Sequence, residues 1–224
     1  MTTLIQRPLK LVEDNFRRPQ GWSGRLVGHA MARQHRTLTD WTIGLLDLSP
    51  SDRVLDVGCG SGMAIGLLAK AASDGFVAGV DYSSEMVRQA TRRNAPEVVA
   101  GRVELRHGDA MELPFPDGWF DVVCAIETLY FWPDPLRGLQ EARRVLRPGG
   151  RLAVTLEMSR EAGGRTYRQR LFGQRFAQRS AEQGLAILSG PELTDLVRSA
   201  GFPQPRYVSE PDRSLGWLCA LARR

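Results

Sequence analysis

Short apolar runs alternate with longer polar segments through the middle of the chain. Most of these runs are apolar at successive positions, which is typical of strands buried on both faces of a sheet. Five runs predict strands at residues 53–57, 76–81, 102–108, 119–127 and 151–157. Helix-forming segments lie between them at residues 61–72, 83–94 and 135–146. This order predicts an α/β fold with a parallel sheet that helices cover on both faces.

The two ends of the chain depart from this alternation. Residues 1–20 predict little regular structure, and residues 22–46 predict two helical pieces. Residues 160–185 predict a polar, arginine-rich helical region, residues 191–201 a short helix, and residues 205–210 and 215–222 two closing strands arranged like a hairpin. We therefore divide the chain into an N-terminal helical cap at 1–46 and a core at 47–224 that carries a helical lid at 159–187.

The stretch VLDVGCGSG, from Val54 to Gly62, connects the first predicted strand with the first helix. Its three glycines leave the backbone bare beyond the carboxyl end of a strand, which is where open α/β sheets bind their ligands. The N-terminus of the following helix adds N–H groups that favour a ligand there. The stretch therefore predicts a nucleoside-binding turn.

The spacing of the glycines separates two kinds of nucleoside. A dinucleotide-binding turn reads G-x-G-x-x-G. Gly58 and Gly60 fit this pattern, but Met63 stands at its third position and Gly62 comes one residue early. Asp56 precedes the first glycine by two residues, where a pyrophosphate needs no acid but a ligand with an ammonium group does. The pattern argues against NAD.

Two further acids follow the second and third predicted strands. Asp81 ends the second strand, where a carboxylate can accept hydrogen bonds from both hydroxyls of a ribose. Asp109 lies between Gly108 and Ala110 after the third strand, and its carboxylate can accept a hydrogen bond from an adenine amino group. The two acids extend the predicted site along the edge of the sheet.

Together these motifs resemble the class I S-adenosylmethionine (SAM) dependent methyltransferases, especially the small bacterial branch similar to the ubiquinone and menaquinone biosynthesis enzymes. The resemblance includes the sequence L-R-P-G-G before the fifth strand and covers residues 35–157 best. It implies a Rossmann-like, doubly wound sheet of seven strands whose last strand is antiparallel, with Trp217 to Leu221 as the candidate. It also implies SAM as the cofactor and S-adenosylhomocysteine (SAH) as the product.

The resemblance implies roles for individual residues. Asp56 and the glycine turn would face the methionine part of SAM, and Asp81 would bind the ribose hydroxyls. Tyr82 and Met86 would flank the adenine, and the Gly-Asp-Ala motif would define its edge. Glu127 would lie beneath the methyl group and contribute through its backbone. The implied cofactor-binding residues are Asp56, Gly58, Gly60, Ser61, Gly62, Asp81, Tyr82, Met86, Gly108, Asp109, Ala110 and Glu127.

We expect the methyl acceptor above the end of the fourth strand, where residues 125–135 read AIETLYFWPDP. Tyr130 is a candidate for orienting a nucleophile through its hydroxyl, and His35 is a candidate base or a contact for the SAM carboxylate. The chain lacks the Asn/Asp-Pro-Pro-Tyr motif of enzymes that methylate adenine or cytosine amino groups. Cys124 is not preceded by proline, unlike the nucleophile of cytosine C5 enzymes. Both differences argue against a nucleic-acid acceptor.

Composition and charge bear on the cellular location, on a metal site and on the charge of the acceptor, but they do not identify the acceptor. The formal net charge is +5, and nearly all the positive charge is arginine. Six arginines at 160–179, accompanied by one acid, predict either a solvated helix face or a lid that binds an anionic acceptor. Three separated cysteines in apolar runs, without metal-ligand spacing, favour free thiols in the cytoplasm and no metal site. No apolar run reaches the length of a membrane span.

Function therefore has one leading hypothesis and several alternatives. We expect a SAM-dependent methyltransferase that acts on an oxygen or nitrogen of a small molecule by in-line displacement, with catalysis resting on positioning and exclusion of water. The alternatives are methylation of a peptide or protein carboxylate, an NAD-dependent oxidoreductase, and a SAM-binding module without activity. A homodimer formed through the N-terminal helices or the arginine-rich segment is left open.

Overall fold

A single sheet of seven strands organises the chain, as seen in a computed structural model that describes residues 36–163 and 187–224. The strands are β1 (Arg53–Val57), β2 (Phe76–Asp81), β3 (Val103–His107), β4 (Phe120–Ile126), β5 (Leu146–Leu156), β6 (Arg206–Glu210) and β7 (Trp217–Arg223). Their order in the sheet is β3-β2-β1-β4-β5-β7-β6. Strands β1 to β5 are parallel, and β7 pairs antiparallel with both β5 and β6. This confirms the predicted doubly wound sheet with an antiparallel last strand.

The helices cover both faces of the sheet. Within the described residues they are α1 (Arg36–Leu46), α2 (Met63–Ala71), α3 (Ser84–Arg93), α4 (Ala95–Val99), α5 (Pro135–Val145) and α6 (Gly190–Ser199). One apolar core joins the sheet to Leu46 of α1 and Leu68 of α2. A second core joins the opposite face to Leu139 of α5 and Leu193 of α6. The strands are therefore buried from both sides, which explains their apolar sequences.

Side-chain caps fix where several helices begin. The Ser83 hydroxyl accepts a hydrogen bond from the Met86 N–H (3.4 Å) at the start of α3, and the Asp134 carboxylate accepts one from the Arg137 N–H (3.0 Å) at the start of α5. A capping box with Ser189 begins α6. Helix α2 differs, because its N-cap residue is a glycine. Such a start leaves helix N–H groups available to a ligand.

Helix α1 is hydrogen-bonded to the sheet near its middle and at its C-terminal end. The Thr42 hydroxyl donates to the Thr155 hydroxyl of β5 (2.9 Å), and the guanidinium of Arg151, in the middle of the same strand, donates to the Leu46 carbonyl (2.9 Å). The two contacts orient α1 opposite to β5. The N-terminal end of α1 therefore lies at the carboxyl edge of the parallel strands.

The sequence-based boundary between α5 and β5 is wrong. We expected the helix to reach residue 146 and the strand to begin at 151, whereas α5 ends at Val145 and β5 begins at Leu146. Leu146 pairs with Phe120, and the Gly149 N–H donates to the Arg224 carbonyl (3.0 Å). These partners are far away along the chain, so local propensity could not reveal the longer strand. Gly149 has a positive φ of 76°.

Several predictions fall outside the described residues, among them the helical piece at 22–34, the candidate base His35 and most of the lid at 159–187. Residues 160–163 are described and form no helix, so the predicted helix does not begin at 160. The division into cap, core and lid stays a prediction. Short helix α4 was not predicted. In the described ranges, no helix is long and apolar enough to cross a membrane.

Candidate active site

The carboxyl edge of the sheet forms a crevice between β1 and β4. From β1 the chain adds β2 and β3 on one side and then returns to place β4 and β5 on the other. Ligands of such sheets bind where the strand order reverses. The loops that follow β1 to β4 all end at this edge. They carry the glycine turn and the residues Asp81, Gly108, Asp109, Ala110 and Glu127, so the structure brings the predicted cofactor side together.

Two of the three glycines in the turn are required by the protein's own packing. Gly58 has φ +80°, and a Cβ atom there would lie 2.1 Å from the Thr128 hydroxyl oxygen. Gly62 has φ +76°, and a Cβ atom there would lie 2.7 Å from both Ala90 and the Asn94 amide nitrogen. A side chain at either position would clash with neighbouring elements, because protein interiors are close-packed.

Gly60 is different, because a Cβ atom there would have nothing within 4 Å. Its φ is +52°, and its N–H donates to Asp81 Oδ2 (2.8 Å). The bare backbone of Gly60 therefore faces open space beside the carboxylate that ends β2. This is the point of the turn where a ligand can approach the main chain closely.

Asp81 is held by backbone donors on both of its oxygens. Oδ2 accepts the bond from Gly60, and Oδ1 accepts one from the Ser83 N–H (2.8 Å). Burial raises the pKa of Asp81, although these two hydrogen bonds and nearby His107 oppose the shift. Each carboxylate oxygen can accept more than one hydrogen bond. The group is therefore oriented in advance to accept further bonds from a pair of hydroxyls.

Asp56 lies deeper in the crevice and is only 2% exposed. The Cys124 thiol donates to Asp56 Oδ1 at 3.7 Å. Burial raises the pKa of Asp56 to about 7, the thiol hydrogen bond opposes the shift, and the charge of Asp81 adds to it. A ligand cation next to Asp56 would favour its ionised form and relieve this cost.

Tyr82 and Met86 occupy different environments beyond Asp81. Tyr82 is 53% exposed, and its ring centroid lies 6.3 Å from that of His107. A His107 ring nitrogen also forms a 2.9 Å hydrogen bond with the Tyr82 carbonyl. Met86 is buried in the first turn of α3. The Tyr82 and His107 rings, tilted by 34° to each other, therefore place two aromatic groups at the end of β2.

The Gly-Asp-Ala motif forms a tight turn directly after β3. The Gly108 N–H donates to the Asp81 carbonyl (3.1 Å), which holds the turn against the end of β2. Asp109 Oδ1 accepts a hydrogen bond from the Met111 N–H (2.9 Å), and Ala110 packs against the apolar core. Asp109 therefore lies on the same edge as Asp81.

Tyr130 connects the ends of β4 and β5. Its hydroxyl oxygen accepts a bond from the Met158 N–H (2.9 Å) and lies 3.0 Å from the Met158 carbonyl and 3.3 Å from Glu127 Oε1. The Glu127 carboxylate also accepts a hydrogen bond from the Glu157 N–H. Burial raises the pKa of Tyr130 well above its usual value, and Glu127 adds to the shift. These contacts give Tyr130 a structural task, and its catalytic role stays a prediction.

Thr128 is a site residue that sequence reasoning missed. Its hydroxyl accepts a hydrogen bond from the Trp132 indole N–H (3.1 Å) and fills the space where Gly58 lacks a side chain. Trp132 in turn packs over Gly138 of α5, where a Cβ atom would lie 2.5 Å from the indole ring. Thr128 therefore joins the glycine turn to the loop after β4. We had expected Gly58 to make room for a ligand, whereas the space beside it is filled by Thr128.

Comparisons with known proteins agree with this geometry. A family model described as a methyltransferase domain matches residues 55–154. A demethylmenaquinone methyltransferase from Listeria welshimeri is 34% identical over 183 residues, which cover 75% of this chain and 77% of that protein. The chain belongs to the SAM-dependent methyltransferase family. Its cofactor is therefore SAM, and family membership decides against the NAD-dependent alternative.

Two further relatives show how far the likeness extends. The 27-O-demethylrifamycin SV methyltransferase of Amycolatopsis mediterranei is 46% identical over 117 residues, which cover 52% of this chain. The matched residues cover 43% of the rifamycin enzyme, so the chain spans less than half of that relative's length. The crystal structure of the [4+2]-cyclase SpnF has a TM-score of 0.69 and 26% identity and covers 84% of this chain and 80% of that one.

The site of this methyltransferase fits SAM on its own geometry. The open space at Gly60 would let a nucleoside approach the backbone, and the two oxygens of Asp81, held by backbone N–H groups, could accept hydroxyl groups. Buried Asp56 suits the ammonium group of the methionine part, because its raised pKa falls when a cation binds nearby. The assignment of individual contacts remains a prediction. His35 lies outside the described residues.

Alanine substitutions at Gly60 and Gly62 should have different effects. Gly62→Ala combines a left-handed backbone with a clash at Ala90, so we expect it to lower the free energy of unfolding by about 2–4 kcal/mol. Gly60→Ala carries only the left-handed strain but places a methyl group in the ligand space, so SAH binding should weaken at least about tenfold. Denaturant unfolding and calorimetric titration measure the two effects.

Gly101→Ala is a matched control for Gly60→Ala. Gly101 has φ +72°, also has nothing within 4 Å of a Cβ position, and lies in the loop before β3 at the opposite edge. We expect a similar loss of stability and unchanged SAH affinity. If the Gly60 and Gly101 variants bind SAH equally well, no ligand lies at Gly60.

Asp56 should make the stability of the ligand-free protein depend on pH. Its folded pKa of about 7 exceeds the value of 3.8 for an ordinary aspartate, so the folded state retains a proton that the unfolded state releases. The stabilisation is complete below pH 4 and declines as the pH rises to 7, by up to about 4 kcal/mol. Urea unfolding at several pH values should show this decline relative to Asp56→Asn. Parallel pH profiles for the two proteins would contradict it.

Proposed function

We propose that the protein transfers the methyl group of SAM to an oxygen or nitrogen nucleophile of a small molecule. The observation that carries the proposal is the open space at Gly60, bordered by Asp81, in a turn whose other two glycines are filled by neighbouring protein groups. The ends of β4 and β5 form the other side of the same crevice. This arrangement supports a cofactor on the β1–β2 side and an acceptor on the β4–β5 side.

Positioning is the main contribution of this chain to the reaction. When bound, SAM supplies a methyl group that is attached to a positively charged sulfur. The sulfur is the leaving group and becomes a neutral thioether. Thr128 joins the glycine turn to the loop after β4, and Tyr130 joins that loop to the end of β5. The cofactor side and the acceptor side are thereby held at a fixed separation. Accurate alignment alone can supply effective molarities of about 10⁵ M or more.

The Tyr130 hydroxyl fits a hydrogen-bonding role better than that of a base. Its pKa is raised well above its usual range by burial, so the hydroxyl keeps its proton at neutral pH. A nucleophile that is protonated at working pH needs a separate base. His35 remains our candidate for that base and for contact with the SAM carboxylate.

The relatives support the part of the proposal that concerns the methyl acceptor. Demethylmenaquinone and 27-O-demethylrifamycin SV, the compounds in the relatives' names, are small molecules. This favours a small-molecule acceptor over the peptide alternative. The likeness to the [4+2]-cyclase SpnF keeps a role without methyl transfer as the second candidate. An anionic acceptor, a homodimer and a cytoplasmic location remain predictions.

Asp81→Ala should abolish high-affinity binding of the cofactor product. Two hydrogen bonds from ribose hydroxyls to a carboxylate are together worth about 3–6 kcal/mol, so SAH should bind at least a hundredfold more weakly. Asp117→Ala is the control, because Asp117 is mostly exposed and pairs with Arg144 away from the crevice. Calorimetric titration of SAH, with NADH in parallel, measures the change. Tight NADH binding without SAH binding would refute the cofactor assignment.

Transfer itself requires a second readout. Protein supplied with SAM carrying a labelled methyl group is incubated with phenols, amines, hydroxylated quinones and short peptides, and the label is followed into product. Label in a phenol, amine or quinone supports the proposal, and label in a peptide supports the first alternative. SAH binding without transfer to any acceptor would favour the second candidate.

A further inference from the structure

The acceptor side of the crevice contains a buried hydrogen-bond donor that lacks a partner. Trp217, the first residue of β7, is 6% exposed, and its indole N–H has no hydrogen-bond acceptor in the structure as described. A buried donor left unbonded destabilises the fold, and such groups are rare in folded proteins. The donor therefore indicates an acceptor atom that residues 36–163 and 187–224 do not provide.

The register of the sheet places Trp217 beside the predicted acceptor position. Leu218 of β7 lies opposite Leu156, and Cys219 lies opposite Thr155. Because side chains alternate along a strand, Trp217 shares a face with Cys219 and Thr155. The next positions after the Leu156–Leu218 pair are Glu157 and Trp217. Trp217 therefore lies next to Glu157 at the carboxyl edge of the sheet. Helix α1 covers this face through the hydrogen bond between Thr42 and Thr155 (2.9 Å).

The cofactor side of the crevice opens on the same face. Asp56 of β1 pairs with Cys124 of β4, and Cys124 pairs with Ala153 of β5, two residues before Thr155. All four side chains therefore project to the face that carries Trp217. A molecule in contact with Trp217 lies on the β5–β7 side of that face, and Asp56 lies on the β1 side.

One aromatic ring and one guanidinium group contact the Trp217 ring. The Trp41 ring of α1 lies 5.6 Å from the Trp217 ring between centroids, with the planes tilted by 43°. The Arg213 guanidinium lies over the Trp217 ring, 5.4 Å from its centroid. These contacts engage the aromatic rings but give the indole N–H no acceptor. A fitting molecule has an apolar body to pack against the rings and one oxygen to accept the hydrogen bond.

We propose that Trp217 determines acceptor specificity by donating its indole N–H to a carbonyl or ether oxygen of a largely apolar, neutral methyl acceptor that packs against Trp41. The proposal rests on the proposed transferase function and specifies its substrate class. The indole N–H is a donor only, so it cannot bind an ammonium group, which also only donates. A single indole N–H beside the Trp41 ring is suited to one oxygen acceptor, and the Arg213 guanidinium over the Trp217 ring further disfavours a cationic molecule.

Two probes that differ in a single oxygen test the proposal. 2-Acetylnaphthalene and 2-ethylnaphthalene have the same fused rings and nearly the same shape, but only the ketone carries a hydrogen-bond acceptor. The SAH-saturated wild type should bind the ketone about five- to tenfold more tightly than the hydrocarbon, which is the value of one hydrogen bond. Trp217→Phe removes the donor and should remove this preference without changing SAH affinity.

Trp119→Phe is the matched control. Trp119 is 41% exposed and stacks with Arg53 (4.3 Å) at the amino edge of the sheet, far from the crevice. This variant should keep both the ketone preference and the SAH affinity. A preference that survives in Trp217→Phe, or disappears in Trp119→Phe, overturns the proposal.

Nuclear magnetic resonance provides a readout that does not depend on the folding of any variant. The chain has five tryptophans and therefore five indole N–H signals, which can be assigned in the wild type. Ketone binding should move the Trp217 signal downfield and slow its exchange with water, whereas the hydrocarbon should do neither. An unchanged Trp217 signal at saturating ketone would refute the proposed hydrogen bond.

The SAH titration separates the two levels of failure. Wild-type protein that binds SAH but neither probe, or both probes equally, overturns the substrate class and leaves the proposed function standing. Protein that does not bind SAH overturns the proposed function and the Trp217 proposal together.

Discussion

The glycine turn after β1 lies directly against the loop after β4, and the geometry of the crevice depends on this contact. The Thr128 hydroxyl occupies the space next to Gly58 where any side chain would collide, and it also accepts the Trp132 indole N–H. Tyr130, two residues further, ties the same loop to the start of the segment after β5. One short loop thus connects the cofactor side with the acceptor side. Changes in either side are transmitted through close-packed groups that have little room to relax.

Electrostatics at the crevice follow from the same close packing. Asp56 and Asp81 are both removed from water, and burial raises the pKa of each. Asp81 is partly compensated by two backbone N–H groups, whereas the described partner of the Asp56 carboxylate is the weak thiol donor of Cys124. A positively charged ligand next to Asp56 would offset the cost of keeping its carboxylate ionised while buried, and this would favour binding. Binding and ionisation are therefore coupled at this residue.

Much of the fold was predictable because it depends on local patterns. The apolar runs identified all seven strands, and the spacing of Asp56, Asp81 and Asp109 indicated that they meet at one edge. The long-range contacts were not predictable. The start of β5 is paired with the end of the chain at Arg224, and the neighbour of Gly58 is Thr128. Neither interaction leaves a signal in adjacent residues, and the same is true of the unpaired Trp217 donor.

A crystal structure of the SAH complex would test the central claim most directly. The account predicts ribose hydroxyls within hydrogen-bond distance of both Asp81 oxygens, the nucleoside against the bare backbone of Gly60, and the amino group of the homocysteine part beside Asp56. SAH bound elsewhere, or bound with the space at Gly60 left empty, would contradict the assignment of the glycine turn as the cofactor site.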